Sequence, residues 1–473
     1  MSFARTARLL ALLAVIALVG AACRADWGQW GNGPERQGNN PFETAIGPSN
    51  ASRLHHLWSV DLGGYINAAP IEAAKMPVLG TTHDLIYVGT ERGEFYAVTT
   101  DGQVVWHRNL GTHVANCPDT PDNTYGVQAS AVFDRATNRV YAMGGAGYVY
   151  AMDAVTGAVL PGWPVLISTD PVHNSVYGAP NLFDGFLYIG TGSHCDLQPY
   201  YGHVTRVDVQ SRAKITWYTN GVGPTGPGGG GIWGWGGVSV DPRDGNVYVA
   251  TGNIAATPEN SPWGDSVVRL TPDLHFVSAK ALPVLIGDDD LGSTPMLFQA
   301  PGCPAQLAVE QKNGTVHLFD RDNIAAGPRQ TLTLSEGGDE VHGGTPVHEF
   351  IGVPAYSAQL NMVFVTNPTG IPNGYYTNGV VGYRINSACA FTKVWNTTAG
   401  TKGFIVGTPM VANGVVYYSD GGAKKVHAFN AKTGQALWNS GSDVAAPMFT
   451  EPLVINGRLF MGAYDDKLHA WGI

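Results

Sequence analysis

Three adjacent carboxylates, Asp288, Asp289 and Asp290, sit in the stretch GDDDLGSTPMLF. Like charges this close repel. Such a run favours a nearby cation or a raised pKa on one of its members, and either suits a metal site or a general base. The plainer reading is a solvated acidic turn. Three other stretches carry residue types that could join it. GGGGIWGWGGVSVDPRDGNVYVATGN (Gly228 to Asn253) sets Trp233 and Trp235 among glycines and closes on the amide side chain of Asn253. AVEQKNGTVHLFDRD (Ala308 to Asp322) places Lys312 beside an Asn-Gly turn, where a lysine is ordinarily just solvated. YIGTGSHCDLQPYYGHVTRVD (Tyr188 to Asp208) brings Asp196, with His194 beside it. Among the 14 His no Ser-His-Asp or paired-Glu arrangement stands above chance, which ranks a hydrolase or lyase last.

These residues lie far apart in the chain, so a fold must gather them. A short phrase recurs along nearly the whole sequence: a β-run, a turn, a second β-run ending near Asp or Asn, often Thr-Gly, then Trp. VYAMGGAGYVYAMDAVTGAVLPGW (Val140 to Trp163) and VYYSDGGAKKVHAFNAKTGQALW (Val415 to Trp438) are the cleanest copies, and IYVGTERGEFYAVTTDGQVVW (Ile86 to Trp106) is looser. Further copies begin near Leu187, Val247, Leu307, Val363 and Leu459. About eight units at a spacing of roughly 45–60 residues is the period of propeller blades, not of helical solenoids. Each unit alternates apolar and polar residues with period two and is rich in Val, Tyr, Phe and Ile, as strands are. Small-residue or Pro steps precede most units (Ala69-Pro70, Ala179-Pro180, Thr294-Pro295, Thr408-Pro409, Glu451-Pro452) and would let inner strands crowd round an axis. The predicted class is all-β, an eight-bladed propeller.

The last unit, RLFMGAYDDKLHAWGI, ends with its second strand. RLHHLWSVDL (Arg53 to Leu62) resembles the missing piece. The N-terminal strand is therefore expected to complete the C-terminal blade and close the ring, leaving no unpaired edge. The Trp of each phrase is expected to pack between neighbouring blades.

The chain's 473 residues, 44% hydrophobic and with 62 Gly, suit one large all-β core. A net charge of −10 with no basic block argues against nucleic acid and anionic membrane surfaces as partners. Residues 1–22 read as a signal peptide, with Arg5 and Arg8 ahead of an apolar run from Leu9 to Val19. Val19 to Cys23 resembles a bacterial lipoprotein box with Cys23 as the acylated residue; the alternative is simple cleavage of the leader and release of the protein. Both imply export, to the periplasm or the cell surface. Residues 23–52 form an N-terminal extension and 53–473 the propeller. Four further cysteines allow three pairings, of which Cys117–Cys195 and Cys303–Cys389 are favoured because each joins loops of nearby repeats. No spacing is CxxC or CxxCH, so zinc clusters and covalent haem are unsupported.

The Asp-x-x-Thr-Gly-x-x-x-Trp ending resembles the tryptophan-docking blades of quinoprotein alcohol dehydrogenase-like propellers, over most of the chain. Many of these bind pyrroloquinoline quinone (PQQ) with a Ca²⁺ ion over the central axis, and the same propeller also serves as a non-catalytic scaffold. The Gly228–Asn253 stretch is similar to the family's Trp-Gly-Trp run and its closing Gly-Asn. The resemblance implies that Trp233 or Trp235 stacks on the quinone and that Asn253 is a Ca²⁺ ligand. GDDDLGSTPMLF is similar to a segment of the polyvinyl-alcohol dehydrogenase branch, which makes Asp290 the catalytic base. The same resemblance assigns Lys312 to the quinone oxygens and Asp196 to the metal.

The implied activity is oxidation of a small or polymeric alcohol by proton abstraction and hydride transfer, with a separate electron acceptor. The chain departs from the best-known enzymes in having no Cys-Cys pair and no haem domain. A non-catalytic lipoprotein scaffold is the alternative.

Overall fold

The computed structural model describes residues 25–254, 262–284, 290–335, 352–370, 374–399 and 407–473. The signal peptide, the lipobox-like Cys23, and the carboxylates Asp288 and Asp289 lie outside the described residues. Eight antiparallel four-stranded meanders follow one another round an axis. Blade 1 is Ile71–Val78, Thr81–Gly89, Glu94–Thr99 and Val104–Asn109. Blade 4 is Ser239–Val240, Val247–Ala250, Ser266–Leu270 and Phe276–Ala281, and blade 5 is Met296–Phe298, Gln306–Gln311, Thr315–Asp320 and Gln330–Thr333. Blade 8 begins with Leu453–Ile455, Arg458–Gly462 and Lys467–Gly472. Its outer strand is His55–Asp61, antiparallel to Lys467–Gly472 with His55 opposite Gly472 and Asp61 opposite Lys467. The ring closes with the N-terminal strand, as the truncated last repeat predicts.

The repeated Trp docks one blade onto the next at three junctions. Trp106 of blade 1 donates its indole N–H to the Ala154 carbonyl of blade 2 at 3.2 Å. Its ring lies 2.6 Å from where a β-carbon on Gly157 would sit, and Gly157 has φ +68°. The Thr-Gly of the motif is thus both a turn requiring positive φ and the seat of a neighbour's indole. Trp395 repeats the arrangement on Ala431 and Gly434. Trp58, on the closing strand, does so on Thr100 and Gly102 of blade 1. The docking contact therefore runs across the closure as well.

What the sequence did not disclose is the path of residues 27–40. This segment circles the axis and bonds to the innermost strand of every blade in chain order. Trp27 exchanges two backbone hydrogen bonds with Glu72, both 3.0 Å. The amides of Phe133, Val240, Leu297, Tyr356 and Val411 then donate to the carbonyls of Gly28, Pro34, Glu35, Gln37 and Gly38. Leu182 donates to the Gln29 side chain, and Asn40 donates to the Val454 carbonyl. Inner strand edges would otherwise leave donors unpaired at the axis. Arg36, fully buried, donates to the carbonyls of Trp30, Val238, Ala179 and Pro180. Residues 27–40 thus pack against the inner strands of all eight blades.

In a four-stranded meander, the turn between strands two and three and the link to the next blade lie at one end. The other two turns lie at the opposite end. Cys117–Cys195 is at the first end and Cys303–Cys389 at the second, both paired as expected. Asn253, Asp290, Lys312, Trp233 and Asp196 all fall in connections at the first end.

Candidate active site

Gly252 is the point where the site assembles. It ends the second-strand run of blade 4, and its amide donates to the Gly231 carbonyl at 2.7 Å. The next carbonyl, Asn253, accepts from Gly230 at 2.6 Å. The glycine-rich loop is thereby zipped alongside the strand end, which brings Trp233 down onto it. A β-carbon on Gly252 would lie 2.1 Å from Trp233 Nε1 and 2.5 Å from Asp290 Oδ2. Trp233 also crowds Gly231 and Gly192, where added β-carbons would come within 2.4 and 3.0 Å of its ring. Three glycines thus make a cradle that any side chain would fill.

Asp290 enters from the link between blades 4 and 5 and is 1% exposed. Lys312, at the blade 5 turn, holds it twice. Its ammonium is 2.8 Å from Asp290 Oδ1, and its amide donates to the Asp290 carbonyl at 3.0 Å. The same ammonium lies 5.7 Å from the Trp233 ring centroid. Tyr200 meets Trp233 edge-on at 5.7 Å, and Tyr177 lies near-parallel to it at 6.1 Å. Asp196 accepts a 2.5 Å hydrogen bond from the Tyr200 hydroxyl. Burial first, then the negative charge of Asp196, raises the pKa of both phenols far above the ordinary value, so they stay protonated donors.

Asp290, Lys312, Trp233, Asn253 and Asp196 therefore gather at one end, from blades 3, 4 and 5. Trp235 goes elsewhere. It packs on the axial cluster with Trp30, Ala69 and Ala179, and its carbonyl accepts from Ala179 at 2.8 Å. Of the two tryptophans the sequence left open, Trp233 adjoins Asp290. His194 is a bystander to the cluster: Asp119 and Gln128 occupy its two nitrogens at 2.9 and 2.7 Å, and Tyr125 stacks on it at 4.1 Å. The neighbouring Cys117, Asp119 and Cys195 group is no metal site, because both sulfurs are in the disulfide.

Sequence reading missed Asp265. Its amide donates to the Gly252 carbonyl at 3.0 Å, so hairpin pairing sets it opposite the site's central glycine. Its pKa is raised to about 7, chiefly by burial and then by Asp290, with Lys312 opposing. The signal was available: the strand ending ATGN must pair with the one opening DSVVRL. Tyr177 and Tyr200 had no such signal.

The residues present fit a planar quinone and a hard cation. The donor set is carboxylate and carboxamide oxygen with one ammonium, and the Trp233 indole supplies a flat apolar surface packed against glycines, with Tyr177 and Tyr200 beside it.

With this geometry in view, the chain is placed among known proteins. It belongs to the PQQ_2 propeller family, described as outer membrane protein assembly factor BamB, whose model matches residues 46–217 and 390–472. A curated relative is the polyvinylalcohol dehydrogenase of a Pseudomonas species, 25% identical over 347 residues. That match covers 63% of this chain and 49% of the relative, so the chain spans about half the length of the curated relative. Among solved structures, a quinohemoprotein alcohol dehydrogenase from Pseudomonas putida superposes with TM-score 0.70 at 16% identity, covering 94% of this chain and 80% of that one. A europium-containing methanol dehydrogenase gives 0.67 at 16% identity, covering 94% and 98%. BamB from Moraxella catarrhalis gives 0.56 at 15% identity, covering 89% and 100%. These structural likenesses establish the eight-bladed fold.

Proposed function

We propose that the protein is an exported PQQ- and Ca²⁺-dependent dehydrogenase that oxidises an alcohol. The observation that carries this is the meeting of Trp233, Asp290 and Lys312 around Gly252, next to Asn253, from segments far apart in sequence. Bound PQQ with Ca²⁺ would supply the hydride acceptor and the Lewis acid that polarises it. Trp233 offers the flat apolar floor. Asn253, Asp290 and Asp196 offer oxygen ligands suited to a hard cation. Asp290 removes the hydroxyl proton of the alcohol. Its ion pair with Lys312 favours the ionised carboxylate a base must have. Lys312, beside both Asp290 and the indole, stabilises negative charge developing over the floor. The electron acceptor is a separate protein, and the substrate is a small or polymeric alcohol. Export follows from the leader sequence, with Cys23 as the candidate anchor.

The test is reconstitution of the purified protein with PQQ and Ca²⁺, read by quinone absorbance and dye reduction with alcohols. Asp290→Asn should keep PQQ bound and abolish dye-linked oxidation. If the parent takes up no PQQ in saturating Ca²⁺, the enzyme reading fails and a non-catalytic binding propeller replaces it.

A further inference from the structure

Two residues before Lys312, the inner rim of blade 5 carries a buried carboxylate in an unusual place. Glu310 stands on the second strand, next to its last residue. Six of the other seven blades carry a small residue at the matching register: Gly89, Gly190, Ala250, Thr366, Ser419 and Gly462. Blade 2 has Met143. Only blade 5 places a charge-bearing group there.

Two other oxygens come close to its carboxylate. A β-carbon on Gly352 would lie 2.4 Å from Thr366 Oγ1, 3.3 Å from Glu310 Oε2 and 3.5 Å from the Gly407 carbonyl oxygen. Three oxygens from blade 5, blade 6 and the entry to blade 7 thus face one small volume. Glu310 and Thr366 are both 0% exposed. Neither Glu310 carboxylate oxygen nor Thr366 Oγ1 has a hydrogen-bond partner among the described residues. Polar groups buried this way are normally satisfied, and an ionised carboxylate left so is costly.

We propose that Glu310, Thr366 and the Gly407 carbonyl form a buried site for a monovalent hard cation, Na⁺ or K⁺. Oxygen-only ligands select hard ions over zinc or copper. One carboxylate balances one positive charge, whereas a divalent ion here would leave net charge in a dry interior. It uses none of the side chains that meet around Gly252 and stands whether or not the protein is a dehydrogenase.

The full-length protein is equilibrated in choline chloride with EDTA at pH 8. It is then melted in NaCl, KCl or choline chloride at equal ionic strength. The melting midpoint should rise, with saturation, in NaCl or KCl over choline, and the more effective salt identifies the ion. Glu310→Gln, which keeps shape but removes charge, should melt alike in all three. Equal melting of the parent in the three salts, or a sodium or potassium response surviving in Glu310→Gln, overturns the proposal and leaves Glu310 a protonated carboxyl. Should Glu310→Gln not fold, Thr366→Val decides. It should raise the half-saturating salt concentration by about tenfold, the loss expected for one neutral ligand. An unchanged concentration refutes the site.

Discussion

Gly252→Ala puts the proposed convergence at risk with one methyl group. The glycine is in an ordinary backbone conformation, with no positive φ to strain an alanine. The consequence is therefore steric. The new carbon would sit 2.1 Å from Trp233 Nε1 and 2.5 Å from Asp290 Oδ2. Ordinary contact is roughly 3.5 Å, so the indole, the carboxylate or both must retreat by about 1 Å. Overpacking of this kind costs about 1–3 kcal/mol. Loss of unfolded-chain freedom returns about 0.4–1 kcal/mol. The net destabilisation expected is about 1–2 kcal/mol, read from the urea midpoint at unchanged slope. Trp233 emission should shift, and PQQ uptake should weaken. Because misplacing a reacting group by about 1 Å can cost about 10²-fold, dye-linked turnover should fall to near that extent. Gly47→Ala is the control, since its added carbon comes no nearer than 3.0 Å to any atom, the Asn413 side-chain amide. A Gly252→Ala protein with parental stability, emission and turnover would refute the meeting of Trp233 and Asp290 at this glycine.

Further outcomes follow from the same geometry. Glu91 is buried and its pKa is raised to about 8 by desolvation, against hydrogen bonds from Gly126 and Asn67. A carboxyl raised in the fold stabilises fully below its unfolded pKa of about 4.3, and that contribution is lost as pH rises through the folded value. Urea midpoints should thus fall between pH 5 and 9, and Glu91→Gln should flatten part of the slope, to which Asp265 and Glu451 also contribute. Replacing Cys303 and Cys389 together with alanine should cost up to about 4.5 kcal/mol for a loop of this length. It should spare PQQ uptake because that bridge is at the far end of the axis, whereas loss of Cys117–Cys195 should impair uptake by freeing the turn that carries Asp196. In hydrogen exchange, the amides of Phe133, Val240, Leu297, Tyr356 and Val411 should open together, since one segment accepts from all of them. Five unrelated rates would show that residues 27–40 are not held as a unit.

The sequence by itself determined the repeat. Alternation with period two, Asp-x-x-Thr-Gly and a following Trp are local demands of strand, turn and docking, so eight units, their strand phase and the closing strand could be read directly. Asp290, Asn253 and Lys312 were legible as candidates because each lies in a short motif at a strand end. Only the tertiary structure decided which tryptophan stands beside Asp290. Trp233 and Trp235 are two residues apart, and their fates depend on how the glycine-rich loop zips onto Gly252 and how Ala179 draws Trp235 to the axis. Tyr177, Tyr200 and Glu310 carry no local signature, since burial beside another blade sets their role. The circuit of residues 27–40 was likewise invisible, because its partners are backbone amides and carbonyls of eight separate blades, and backbone groups leave no mark in side-chain pattern.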